Sequence, residues 1–145
     1  MKHSDASNDG EESGELAFAL MHASQAIEDR VEAALGRAGL SLAKFGVLTE
    51  LVRADQSLTL SELASRLSCV RSNMTQLIDR LEADGLVERV DDPADRRAVR
   101  ATLTASGKAQ QAAGDREMKH VHRHLATLLS SGDRSHLNRI LSALG

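Results

Sequence analysis

Residues 58–108 read LTLSELASRLSCVRSNMTQLIDRLEADGLVERVDDPADRRAVRATLTASGK, and this stretch decides the fold. Leu63, Ala64 and Leu67 follow Ser61 at helical steps, which predicts a short helix capped by that serine. Ser68-Cys69 interrupts it. Met74, Leu77, Ile78 and Leu81 then recur at i, i+3, i+4 and i+7, the buried stripe of a helix from Val70 to Asp84. Gly85 stands where such a helix ends on a left-handed residue. Beyond it the period drops to two. Leu86 to Val90 reads as an extended run, and Val99, Ala101 and Leu103 alternate with Arg100 and Thr102. The eight residues between, Asp91 to Ala98, hold the only proline, Pro93, and five charges. Two helices around a tight break, followed by a β-hairpin, form a winged helix-turn-helix.

The flanks are helical. Upstream, Leu16, Leu20, Ala23, Ile27, Val31 and Ala34 recur at three- and four-residue steps, and Gly36 and Gly39 end that pattern. Ser41 can cap the next helix, on which Phe45, Leu48 and Leu51/Val52 share a face, and residues 55–60 read as a connector. Downstream, Thr104 caps a long helix to about Leu129. Ser130 to Gly132 break it, and Asp133 caps a last helix carrying Leu137, Ile140, Leu141 and Leu144. Residues 1–14 are rich in Ser, Asp, Glu, Asn and Gly and read as a disordered tail. The expected architecture is mainly α with a small β-hairpin wing, in one domain over residues 15–145.

The helix from Val70 has two faces. With the apolar stripe packed inward, Arg71, Ser72, Asn73, Thr75, Gln76, Asp79 and Arg80 face outward. Short hydrogen-bonding side chains match the donors and acceptors on base edges in the major groove, which the start of the second helix enters. In the hairpin loop, Asp95, Arg96 and Arg97 form a charged tip, with Arg89 and Arg100 on the strands. A tip arginine suits the minor groove, whose narrow stretches concentrate negative potential. Asp95 is positioned to hold one arginine extended. These features predict a DNA-binding surface, although Ser61 to Leu103 holds seven arginines against eight acids. Placement and symmetry, rather than excess charge, must then supply affinity.

Composition narrows the alternatives. The formal net charge of the 145 residues is −3 and only two aromatics occur, Phe18 and Phe45, which argues against single-strand binding by base stacking. The single cysteine, Cys69, permits no internal disulfide and disfavours a cysteine-based zinc site. There is no signal-type or membrane-length apolar run, so the cytoplasm is the expected location, without membrane association. No glycine-rich phosphate loop, HExxH or G-x-S-x-G is present, so no enzyme and no cofactor are expected.

The L-x-x-L-A-x-x-L helix, the LIDRLEADGLVER segment, the D-x-A-D-R-R wing and the L-T-x-x-G-K opening of the long helix together resemble the MarR family of multiple-antibiotic-resistance regulators. The core likeness spans Leu58 to about Lys108. It implies a homodimeric transcriptional regulator, with residues 15–38 and 104–145 as dimerisation helices around a lobe at 41–103. It also implies a palindromic double-stranded DNA site, and commonly repression relieved by a small-molecule effector bound between the dimer helices and the lobe. By position, Ser72, Asn73, Thr75 and Gln76 fall on the recognition helix, Arg97 on the wing arginine and Asp95 on its supporting acid. Two departures stand out. Val70 occupies a position that is often a Ser or Thr cap, for which Ser68 can substitute, and Gln76 replaces a frequent basic residue.

Three sensor candidates remain. Met21, His22 and Phe45 are candidate walls of an effector pocket. Cys69, at the start of the recognition helix, is a candidate redox switch, weighed against a small buried hydrophobe. His120 and His124 stand one helical turn apart and are candidate metal ligands, with a solvated helix face as the plainer reading. The alternative function is therefore a metal- or redox-responsive regulator.

Overall fold

The computed structural model describes residues 8–145, with side chains from Gly14 onward. The chain runs α1 (Asn8–Arg37), α2 (Leu42–Ala54), β1 (Leu58–Thr59), α3 (Leu60–Arg66), α4 (Arg71–Ala83), β2 (Val87–Asp91), β3 (Val99–Leu103), α5 (Ala105–Leu128) and α6 (Ser131–Leu144). Helix α1 starts seven residues before Glu15, so residues 8–14 are helical where a disordered tail is expected from composition. Polar residues can extend a helix, because propagation adds one hydrogen bond for each residue ordered. Residues 1–7 of that expected tail lie outside the described residues.

Three antiparallel strands in the order β1-β3-β2 form the sheet. Val87 pairs with Leu103 and Asp91 with Val99, while Leu58 pairs with Ala101. Strand β1 is a correction to the reading of 55–60 as a connector. Two residues are too few for an alternation signal, and the partner strand lies 43 residues downstream. Asp91 belongs to β2, which shortens the wing loop by one residue.

The caps also differ in detail. Thr59, not Ser61, caps α3 in a capping box with Glu62. Ser130, not Asp133, caps α6, with Asp133 three residues on completing the box. Both pairs follow the S/T-x-x-acid pattern, in which two orphan N–H groups are satisfied reciprocally. Ser41 caps α2 and Thr104 caps α5 as expected. Gly85 has φ +72°, so the turn after α4 is left-handed as the sequence implies.

One core gathers α2, α3, α4, the sheet and the last turns of α1 around Leu35, Leu48, Leu51, Leu63, Met74, Ile78, Leu81 and Val87. Helix α5 is locked onto it at two glycines. A Cβ on Gly107 would lie 2.0 Å from the Leu86 carbonyl oxygen, and one on Gly114 would lie 2.8 Å from the Phe45 ring. The Thr104 hydroxyl donates to the Gly85 carbonyl at 2.7 Å and accepts from Gly107 N–H at 3.0 Å. The end of α4 and the start of α5 are therefore one joint. Residues 14–30 of α1 and all of α6 are exposed.

Candidate nucleic-acid interface

Helix α4 follows from the sequence around it. Ser68 takes φ +50°, turning the chain between α3 and α4. The start of α4 carries no side-chain cap, so Ser68 does not replace the missing residue at Val70. The first N–H groups of α4 are thus free of side-chain caps. Met74, Ile78 and Leu81 are buried, which turns Arg71, Ser72, Asn73, Thr75, Gln76 and Arg80 outward; all six are exposed. The Thr75 hydroxyl donates to the Arg71 carbonyl at 3.1 Å, leaving it an acceptor for outside donors.

The wing loop is shaped by its own carboxylates. Asp92 Oδ1 accepts from Ala94 N–H and Asp95 Oδ1 from Arg97 N–H, each at 2.9 Å. These are Asx turns, in which the side chain mimics a backbone turn. Asp95 therefore supports Arg97 through its backbone; no ion pair joins Asp95 to the guanidinium among the described residues. The Asp92 carboxyl is held below its ordinary range by the Ala94 N–H first and by Arg100 second.

The seven arginines of this region divide by their partners. Arg89 on β2 binds Asp79 and Glu82 of α4, which fastens the wing strand to that helix and raises its own affinity for the proton. Arg100 on β3 binds Asp92 and Ser57, and Arg66 binds Glu50. Lys44 neutralises Asp84 at 2.6 Å. Arg71, Arg80, Arg96 and Arg97 have no ion-pair partner among the described residues. Arg71 and Arg97, with Asp95, Thr59 and Ser61, line a recess of about 200 Å³ between α4, the wing and the start of α3. The excess of acids counted along the sequence thus overstates repulsion. Five of the acids, Glu62, Asp79, Glu82, Asp84 and Asp92, have internal cationic partners, and the uncommitted arginines sit on α4 and the wing tip.

The sensor candidates separate. Met21 and His22 are exposed on the uncovered half of α1, while Phe45 packs on the core beside Gly114. None of the three lines the larger cavity, about 340 Å³, formed by Leu51, Val52, Asp55, Gln56, Thr102, Leu103, Lys108 and Gln111. Cys69 is half-buried against the core, with Sγ 3.4 Å from the Val70 carbonyl oxygen, as a small hydrophobe would sit. His120 and His124 are exposed. His120 Nδ1 lies 2.9 Å from an Arg123 guanidinium nitrogen, an unfavourable neighbour for a metal cation. Among the described residues no cluster of three or more His, Cys, Asp or Glu could hold a metal. No described helix is long and apolar enough to cross a membrane.

The sequence did not reveal the clamping roles of Arg89, Arg100 and Ser57. An acid ten residues before Arg89, one turn from Glu82, was a usable signal; Ser57, 43 residues from Arg100, offered none.

Comparison with known proteins adds a common theme. Residues 38–98 match the model of the MarR family. An HTH-type transcriptional regulator of Escherichia coli, PrsX, is 35% identical over 88 residues, 60% of this chain and 53% of that protein. The HTH-type transcriptional repressor YetL of Bacillus subtilis is 35% identical over 97 residues, 66% of this chain and 58% of that protein. The chain thus spans little more than half the length of these relatives. A crystal structure of a cysteine-to-serine MarR mutant from E. coli, complexed with operator DNA, superposes with a TM-score of 0.80 at 27% identity. It covers 97% of this chain and 99% of that one.

Proposed function

We propose that this chain, whose residues 38–98 match the MarR family model, is a transcriptional repressor that binds a palindromic duplex operator as a homodimer and is released by a small-molecule effector. The observation that carries this reading is the division of the arginines. Arg71, Arg80, Arg96 and Arg97 are uncommitted on the same exposed surface as Ser72, Asn73, Thr75 and Gln76. In this reading α4 enters the major groove and reads base edges with those four polar residues. Arg97 enters the adjacent minor groove, presented by the Asp95 turn, and Arg71, Arg80 and Arg96 engage phosphates.

Homodimerisation is supported by the terminal helices. Leu16, Phe18, Met21, Ile140, Leu141 and Leu144 are all exposed, on the uncovered first part of α1 and on α6. A second copy covering them would bring two α4 helices to one face of DNA, about 34–36 Å apart, one helical turn. Effector release is supported by the 340 Å³ cavity, which lies between α5 and the lobe and mixes an apolar floor with Lys108, Asp55 and two glutamines. A ligand there would bear on the joint between α5 and α4.

Electrophoretic mobility shift on DNA from upstream of the protein's own gene tests the reading. Wild type is expected to shift the duplex, and Arg97→Ala and Gln76→Ala to weaken the shift, each by about 1–3 kcal/mol. Unchanged binding by both variants contradicts it.

A further inference from the structure

Arg100 sits in the wing and carries the charge of a DNA contact, yet each of its three guanidinium nitrogens donates a hydrogen bond within the protein. Nε donates to Ser57 Oγ at 2.9 Å and Nη2 to the Ser57 carbonyl at 2.8 Å. Nη1 donates to Asp92 Oδ2 at 3.0 Å, and the Glu62 carboxylate stands 3.9 Å away. Asp92 in turn spends its other oxygen on Ala94 N–H, the first turn of the wing loop. Three residues on, Asp95 fixes the Arg97 backbone. A continuous path of hydrogen bonds therefore runs from the segment before β1, through Arg100 and Asp92, to the loop that carries Arg96 and Arg97. Arg100 and Asp92 are both half-buried, unlike the tip residues, which are exposed.

We propose that Arg100 is a positioning residue for the DNA-reading wing: it anchors the loop through Asp92 and Ser57, sets where Arg97 is presented, and makes no phosphate contact itself. The proposal rests on the DNA-binding reading of the wing. Its chemistry depends on the guanidinium fork. A lysine has the charge but cannot satisfy a hydroxyl, a carbonyl and a carboxylate in one plane. The partner carboxylate supplies a test with opposite signs. If the region acted on DNA by charge alone, removing the negative charge of Asp92 would tighten binding. If Asp92 is a link in the clamp, removing it loosens the wing and weakens binding.

The test is fluorescence anisotropy with labelled duplex from upstream of the gene, over a range of salt concentrations, using full-length Arg100→Lys, Arg100→Met, Asp92→Asn and Arg97→Ala. Thermal melts and circular dichroism establish that each is folded. If Arg100→Met does not fold, Arg100→Lys and Asp92→Asn carry the test. The clamp predicts that Arg100→Lys, Arg100→Met and Asp92→Asn each weaken binding about tenfold, roughly the effect of losing one charge-assisted hydrogen-bond group. The combined Arg100→Met/Asp92→Asn variant should lose little more than either alone, since both cut one path. The slope of log K against log salt should match wild type in the clamp variants, because Arg100 makes no phosphate contact. Tighter binding by Asp92→Asn, near-wild-type binding by Arg100→Lys, or a reduced salt slope in Arg100→Met overturns the proposal. Unchanged binding by Arg97→Ala overturns the wing's part in the DNA-binding reading, and the positioning role with it.

Discussion

The lobe from α2 to β3 and the terminal helices are built from the same residue types but behave as opposites. In the lobe, leucines close on one another: Leu48, Leu51, Leu63 and Leu81 are almost wholly buried. On α6 the leucines are as frequent, yet Leu137, Ile140, Leu141 and Leu144 are 39–64% exposed, and no residue of that helix is buried. The first half of α1 repeats the pattern with Leu16, Phe18 and Met21. A hydrophobic stripe stabilises only when something covers it, at roughly 25 cal/mol per Å² removed from water. The lobe supplies its own cover, whereas the terminal helices need another surface. On the proposed function, this contrast separates a DNA-reading lobe that closes its own core from terminal helices whose cover, a second copy, would make stability depend on concentration.

The joint between the two regions should give the largest effect. Gly107→Ala sets a Cβ against the Leu86 carbonyl, where no flexible side chain can yield. A loss of about 3 kcal/mol or more in denaturant unfolding is expected. A near-neutral result would mean that α5 is not fixed to the end of α4.

Leu141→Asp comes next and should divide the regions. Sedimentation velocity is expected to report dissociation to monomer, with about 2 kcal/mol lost from association for one buried leucine. Hydrogen exchange at Ile78 and Leu81 should remain protected. Loss of protection there would show that the lobe does not stand alone.

The two capping boxes offer a matched pair of smaller effects. Thr59→Ala should lower the unfolding free energy of the lobe by about 1 kcal/mol. Ser130→Ala removes the equivalent bonds on α6 and should change dimer dissociation while leaving exchange in the lobe unaltered.

The smallest effect is one of pH. The Glu62 carboxyl is lowered from 4.5, first by the Thr59 N–H, against an opposing desolvation, with the Thr59 hydroxyl, Arg100 and Arg66 assisting. Because the folded pKa is depressed, its contribution is full above the unfolded value and is lost as pH falls through the folded one. Glu62→Gln should therefore flatten the stability profile only below about pH 4.5. An unchanged profile would place the acid sensitivity elsewhere.

Much of this was legible in sequence because it is local. The stripe Met74, Leu77, Ile78 and Leu81, the stop at Gly85 and the alternation around Ala101 each lie within a few residues, and each found its counterpart in the fold. The exposed face of α4 followed from the buried one. What escaped was non-local or had several local solutions. Strand β1 exists through pairing with β3, and Arg100 is a clamp because Ser57 stands beside it. Ser61 and Asp133 were plausible caps by type, but Thr59 and Ser130 have the acid three residues on that makes a reciprocal pair. The sequence places Met21, His22 and Phe45 near one another only by analogy of position; packing sends Phe45 to the core and leaves the other two outside.

Hydroxyl-radical footprinting of the upstream duplex by wild type and Arg97→Ala tests the central claim most directly, because it reads minor-groove contact at single-nucleotide spacing. The account predicts a two-fold symmetric pattern for wild type, centred between half-sites about one turn apart. Arg97→Ala should lose the protected minor-groove segments contacted by the wings and keep the rest. A footprint without symmetry, or one that Arg97→Ala leaves intact, would contradict it.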